Sequence, residues 1–319
     1  MRVVFIGTGE IGVPVLRWLV ESSAHELVGV VTQPDKPVGR DQRLQAPPIK
    51  SALVETRIPL LQPERIKREE AIAQIRALAP EVIVVLAYGQ ILPRAVLEIP
   101  SIACLNLHAS LLPKYRGAAP IQAAIVNGDS ETGLTVMYMD EGLDTGDTLL
   151  TSPLAIAPNE TGGSLHDRLA ALAPNALAEA LQLLAVGNAP RTAQNSAAAS
   201  YAPKLLREHG RIDWSESATI IERKIRAFDP WPGSFTILRD EIGAERNLKI
   251  FAATIADETG APGTITVHAN GEIIIAAGAG GLRLDRIQLE GKKQMNAAEF
   301  SRGRAWLGTA RAVSFSFPS

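Results

Sequence analysis

The chain has 319 residues, 46% hydrophobic and 21% charged, which lies within the globular range and excludes disordered, collagen-like and disulfide-scaffold proteins. Its 32 Lys and Arg against 34 Asp and Glu give a formal charge of -2, so it is not a uniformly basic nucleic-acid binder and any such surface must be local. One cysteine, no Cys/His cluster at zinc spacing and no apolar run of spanning length lead to the expectation of a cytoplasmic chain with no metal and no membrane partner.

In chain order, residues 2–6 form a β-branched and aromatic run that stops at Gly7, and apolar residues at helical spacing follow over 11–20, which predicts strand, tight turn, helix. The strand pattern returns at 27–32, helices are predicted at 49–56 and 69–78, and 81–86 is an apolar run suited to a strand covered on both faces. This alternation predicts an α/β fold with a doubly wound, mostly parallel, Rossmann-like sheet. Further strands are expected at 102–107, 134–139 and 148–154, a helix near Pro120 and a long alanine-rich helix at 161–186. Asn, Ala, Pro and Ser then take over without hydrophobic period from 187 to 202, as in a linker. The expected organisation is a catalytic domain over 1–187, a linker over 188–206 and a second domain over 207–319. In the second domain a helix at 217–228 precedes short strands at 234–238, 248–254, 263–268, 272–277 and 282–289, the pattern of a small antiparallel, OB-like β-barrel.

Gly7-Thr8-Gly9-Glu10-Ile11-Gly12 matches the GxGxxG dinucleotide fingerprint between a first strand and a first helix. The acid that should bind the ribose, Asp35, lies between Pro34 and Pro37 and therefore in a loop. The motif is accordingly read as a tight β–α turn, with a nicotinamide oxidoreductase kept as a rival. A stronger signal is Asn106-Leu107-His108, because strand alternation turns Asn106 and His108 to one face at the carboxyl end of a strand, where open α/β sheets bind ligands. The acidic loop Asp140-Glu141-Gly142-Leu143-Asp144-Thr145-Gly146-Asp147 can bring a carboxylate to the same crevice. An amide, an imidazole and a carboxylate suit acyl-type transfer. A buried structural histidine and a solvated acidic loop are the plain alternatives. Cys104 sits in an apolar run and Ser110 in no GxSxG elbow, which disfavours covalent catalysis.

The run from Asn106 to Ile121, NLHASLLPKYRGAAPI, closely resembles the signature of the formyltransferases that use 10-formyltetrahydrofolate, in particular the methionyl-tRNA formyltransferase family. The segments 32–40, 87–93, 139–146, 211–214 and 226–232 resemble the same family in the same order, so the likeness covers nearly the whole chain. It implies transfer of the formyl group of 10-formyltetrahydrofolate to the α-amino group of methionyl-initiator tRNA in translation initiation. Asn106, His108 and Asp144 are then the catalytic residues, with Asp144 holding His108 in its working tautomer. Ser110, Leu111, Leu112 and Pro113, with Tyr88 and Ile91 from another wall, line the folate site. By the same resemblance Arg40, Arg43 and Lys204 contact tRNA and no metal or nicotinamide is needed; the protein is expected to be a monomer. The 34–48 loop, proline-broken and net positive, is expected to be mobile without tRNA. Gly9 departs from the family, which commonly has proline there. The alternative enzyme is a formyltransferase acting on a small amine, an amino sugar or nucleotide; a folate- or tRNA-binding module without activity is the non-enzymatic rival.

Overall fold

The computed structural model describes residues 1–39, 41–53, 56–302 and 304–313. Two compact units emerge, one made of Met1–Pro120, Glu131–Ala155 and His166–Ala202, the other of the remaining segments.

The first unit opens with β1 (Arg2–Gly7), a 3-10 turn, α1 (Val13–Glu21) and β2 (Glu26–Val31). A hairpin absent from the pattern reading follows, β3 (Lys36–Val38) and β4 (Arg43–Gln45). Pro37 hides it: proline argues against a strand in sequence, yet is tolerated in a ribbon with free edges. Next come α2 (Pro48–Ala52), shorter than the expected 49–56, of which residues 54 and 55 lie outside the described ones, and β5 (Leu60–Leu61). The chain continues through α3 (Glu69–Ala77), β6 (Val82–Leu86), α4 (Arg94–Leu97), β7 (Ala103–His108) and β8 (Arg116–Gly117). After α5 (Pro120–Asn127), which from Ile121 onward belongs to the second unit, run β9 (Glu131–Tyr138), β10 (Thr148–Ala155) and α6 (Gly162–Ala185), the last joining the first unit at His166. The main sheet has the order β10-β9-β7-β6-β1-β2-β5, with β7, β6, β1, β2 and β5 parallel and β9 and β10 antiparallel at one edge. Val3 to Ile6 and Val82 to Val84 are fully buried, as strands covered on both faces must be, and this is why they read as continuous apolar runs. The chain lays strands outward from β1 on one side and later from β6 on the other, so the carboxyl ends of β1 and β6 flank a switch point.

Gly7 is required by that packing: a Cβ there would lie 2.8 Å from the Leu86 carbonyl oxygen, whereas at Gly9 the nearest atom would be an ordinary 3.8 Å away. Asp35 is occupied by Lys50, at 2.9 and 2.8 Å, and by Gln62 at 2.9 Å, in keeping with the turn reading.

The 187–202 stretch does not hang free, despite its composition. Thr192 exchanges backbone hydrogen bonds with Thr148, and β11 (Tyr201–Ala202) pairs with β8 in parallel.

In the second unit, Ser217 caps α7 (Ala218–Ala227), accepting from the Ile220 N–H. The strands β12 (Ser234–Arg239), β13 (Glu245–Ala256), β14 (Ile265–Val267), β15 (Ile273–Ala276) and β16 (Gly281–Leu289) form the sheet. The short β17 (Met295–Asn296), α8 (Ala297–Ser301) and β18 (Arg311–Val313) follow. The order is β14-β15-β16-β13-β12-β18, and a bridge between Thr264 and Arg311 nearly closes it into a barrel. Its core is built on Trp214, Phe300 and a set of Ile and Leu, with the Trp214 indole donating to Thr236 Oγ1 at 2.9 Å. β18 escaped the sequence reading because three residues carry no alternation; their place is set by pairing with β12. Among the described residues no helix is long and apolar enough to cross a membrane, and no group of three His, Cys, Asp or Glu is placed to hold a metal.

Candidate active site

β7 ends at His108, with Asn106 two residues earlier on the same side. Antiparallel pairing sets Asn106 opposite Met137 and His108 opposite Thr135, and the chain leaving β9 turns through residues 139–147 beside them. That loop is tight: Tyr138 N–H bonds the Asp147 carbonyl at 2.9 Å, and a Cβ on Gly146 would collide with the Tyr138 carbonyl oxygen. Asp140 is spent within the loop, accepting from Gly142 N–H at 3.0 Å and Thr145 Oγ1 at 2.8 Å. Asp144, its side chain 14% exposed, turns inward.

Asp144 Oδ2 accepts from the Gly117 N–H at 2.8 Å and stands 3.6 Å from His108 Nδ1, while Oδ1 lies 3.4 Å from Asn106 Nδ2. The three residues named from sequence thus converge. Asn106 has no other side-chain hydrogen bond among the described residues, so its amide keeps capacity for a ligand. His108 Nε2 lies 2.8 Å from the Tyr115 carbonyl oxygen. A carbonyl only accepts, so Nε2 carries the hydrogen, and a neutral ring has its lone pair on Nδ1, facing Asp144. The tautomer is therefore fixed by the Tyr115 carbonyl and not, as expected, by Asp144; Asp144 is placed to stabilise the imidazolium once Nδ1 is protonated. Asp144, Tyr115 and Ala87 all adopt left-handed backbone, at φ of 54°, 60° and 50°, a conformation that costs a non-glycine residue about 1–3 kcal/mol and collects at functional sites.

The 110–113 segment is held from beneath. Thr135, fully buried, donates from Oγ1 to the Ser110 carbonyl at 2.7 Å and accepts from the Leu112 N–H at 3.0 Å. Ser110 is itself fully buried and donates to the Lys114 carbonyl at 2.6 Å, so its hydroxyl shapes the loop. Tyr88 was expected on a wall of the folate site, but its ring packs in the core with Val4, Ile6 and Val96, 3% exposed. Its hydroxyl has no partner among the described residues, and burial pushes its pKa up to about 12. The same loop turns Ile91 outward, 84% exposed. Arg43 is an exposed residue of the hairpin, 3.9 Å from Asp41; Lys204 is exposed in the second unit, and Arg40 lies outside the described residues. A depression of about 730 Å³ bordered by Glu10, Arg17, Gln45 and His166 contains none of the three, so the site is located here by converging polar groups rather than by volume.

Sequence reasoning missed three contributors. The Gly117 N–H and the Tyr115 carbonyl are main-chain groups with no compositional trace. Gln194 lies in the stretch that reads as linker; its Nε2 donates to the carbonyls of Asp144 at 2.9 Å and Gly146 at 2.7 Å. Its Oε1 accepts from Arg116, itself 2% exposed, at 3.1 and 2.8 Å.

The sequence matches the formyl transferase family over residues 1–181 and the formyl transferase C-terminal domain over residues 204–305. Among its relatives, the methionyl-tRNA formyltransferase of Methylacidiphilum infernorum is 49% identical over 313 residues, covering 97% of each chain. That of Geobacter metallireducens is 45% identical over 303 residues, covering 95% of this chain and 96% of the relative. Among solved structures, the methionyl-tRNA formyltransferase from Clostridium thermocellum aligns at a TM-score of 0.56 and 16% identity over 91% of this chain and 98% of that one. The sugar 3N-formyl transferase WlaRD, solved with dTDP and 5-N-formyl-THF, aligns at 0.64 and 18% identity over 92% and 99%. At such identities the solved structures establish the shared fold.

Proposed function

The chain belongs to the methionyl-tRNA formyltransferases of the formyl transferase family, and we propose that it transfers the formyl group of 10-formyltetrahydrofolate to the α-amino group of methionyl-initiator tRNA, acting as a cytoplasmic monomer. The observation that carries this reading is the convergence of Asn106, His108 and Asp144 at the carboxyl end of β7, in a chain 44–49% identical to enzymes of that name. Residues 1–187 carry the chemistry and 207–319 engage the tRNA, with Arg40 and Arg43 of the 34–48 loop and Lys204 as contacts.

The amine nitrogen attacks the formyl carbon on N10 and gives a tetrahedral intermediate with charge on oxygen. The Asn106 amide donates to that oxygen. His108 Nδ1 takes the proton that the amine loses, and Asp144 stabilises the resulting imidazolium. The same proton passes to N10 as the carbon–N10 bond breaks, leaving tetrahydrofolate and formylmethionyl-tRNA, with atoms and charge balanced. Ser110 to Pro113, with Ile91 opposite, line the folate site; Tyr88 contributes main chain only.

The test is a formyl-transfer assay with 10-formyltetrahydrofolate and methionyl-initiator tRNA, comparing wild type with Asn106→Ala. Loss of one oxyanion donor lowers kcat by about 10²–10³-fold. Undiminished transfer in the variant removes Asn106 from the mechanism, and transfer to a small amino sugar but not to tRNA moves the enzyme to the alternative acceptor class.

A further inference from the structure

Asp144 must hold its carboxylate against His108 and Asn106 from a loop whose backbone, at φ 54°, is in a region that an aspartate keeps only when its surroundings enforce it. One end of the constraint is the Gly117 N–H on Oδ2. The other end comes from a segment that begins beyond α6. The two hydrogens of Gln194 Nε2 go to the Asp144 and Gly146 carbonyls, and Oε1 takes both Nε and Nη2 of Arg116. The capacity of the primary amide is thereby filled.

These bonds close a ring. It runs from Gln194 to the Asp144 main chain, through the Asp144 carboxylate to the Gly117 N–H, along one peptide to Arg116, and back to Gln194. The ring is tied down by the segment that carries Gln194. Arg116 N–H bonds the Ser200 carbonyl at 2.8 Å, Tyr115 N–H bonds Ser200 Oγ at 2.9 Å, and β11 pairs with β8. Tyr115, whose carbonyl fixes the His108 tautomer, is held by the same segment.

We propose that Gln194 is a positioning residue for the reaction: it holds Asp144 in working register with His108, and the 192–202 stretch is the part of the catalytic unit that delivers it. This rests on the formyl-transfer reading above. Glutamate at 194 can still receive Arg116 but has no hydrogens for the two carbonyls, so Gln194→Glu separates the anchoring of Arg116 from the anchoring of Asp144.

The experiment has three arms. In steady-state formylation of methionyl-initiator tRNA, Gln194→Ala and Gln194→Glu are expected to lower kcat by about 10–100-fold, the range seen when a reacting group is displaced by a fraction of an ångström to an ångström, with KM for both substrates within about threefold of wild type. In single-turnover assays, Gln194→Ala placed in an Asp144→Asn background is expected to change the rate by less than about twofold, because a residue that acts through Asp144 has nothing further to lose. Amide exchange of peptides covering 140–147 is expected to be faster in Gln194→Ala than in wild type, with peptides of β6 and the barrel unchanged. A multiplicative loss in the double variant, or unchanged exchange over 140–147, overturns the proposal. Should wild type fail to formylate methionyl-tRNA, the formyl-transfer reading falls, and the exchange arm still decides whether Gln194 holds the Asp144 loop; it also decides if Asp144→Asn is too slow to measure.

Discussion

Thr135→Val tests whether the 110–113 wall is held by two buried hydrogen bonds or by shape alone. Valine matches threonine in volume and branching, so packing around this fully buried position is preserved and only the hydroxyl is lost. Two groups then lose their partner, the Ser110 carbonyl at 2.7 Å and the Leu112 N–H at 3.0 Å. A buried polar group left unsatisfied costs about 1–3 kcal/mol, so two cost about 2–6. Burying a methyl in place of the hydroxyl returns about 0.8 kcal/mol. The expected net loss is about 1–5 kcal/mol, centred near 3. Thr135→Ser is the control: it keeps the hydroxyl, gives up one methyl, and is expected to cost about 1 kcal/mol. Because the chain has two units, the loss is best read from urea-dependent amide exchange of β7 and β9 peptides, with barrel peptides as internal reference. In the transfer assay the released wall is expected to raise KM for the folate donor more in the valine than in the serine variant. The reasoning is refuted if valine is no more destabilising than serine, or if it lies within about 0.5 kcal/mol of wild type, since either outcome means the hydroxyl holds nothing.

Two further expectations follow from the ionisable groups. Burial pushes the Cys104 thiol up to about 12, so at pH 8 the native protein is expected to leave an aromatic disulfide reagent unreacted and to release one equivalent of thiolate on unfolding; fast stoichiometric reaction in the native state would show the strand opening. Lys50, and then Gln62, hold the Asp35 carboxyl below its ordinary 3.8, so the folded state favours the carboxylate, and that contribution is present above the unfolded value near 3.8 and lost as pH falls through the lower, folded one. The stability difference between wild type and Asp35→Asn is therefore expected to be constant from pH 7 to 5 and to shrink below 3.8; parallel pH curves for the two proteins exclude the pairing.

Local side-chain spacing marks much of this fold. The β-branched runs of β1, β2 and β6 and the amphipathic period of α7 announce elements through side-chain spacing alone, because spacing decides which face can be buried. The same rule set Asn106 and His108 on one face of one strand. It failed where placement depends on a partner: the hairpin interrupted by Pro37, the three-residue β18, and the ordered stretch before Ala202, whose small polar residues carry no period because they bind through main chain and single amides.

The sequence by itself determined the alternating α/β order, the barrel that follows, and the residue types able to do the chemistry, since each of these depends on neighbours a few positions apart. Tertiary structure alone decided how the site is held. Gly117 meets Asp144 across 27 residues of chain, Gln194 meets it across 50, and Arg116 meets Gln194 across 78. Bonds of that reach leave no periodic mark in a sequence. They form only after the sheet has brought the segments together, and they fix which of the loop's carboxylates faces His108.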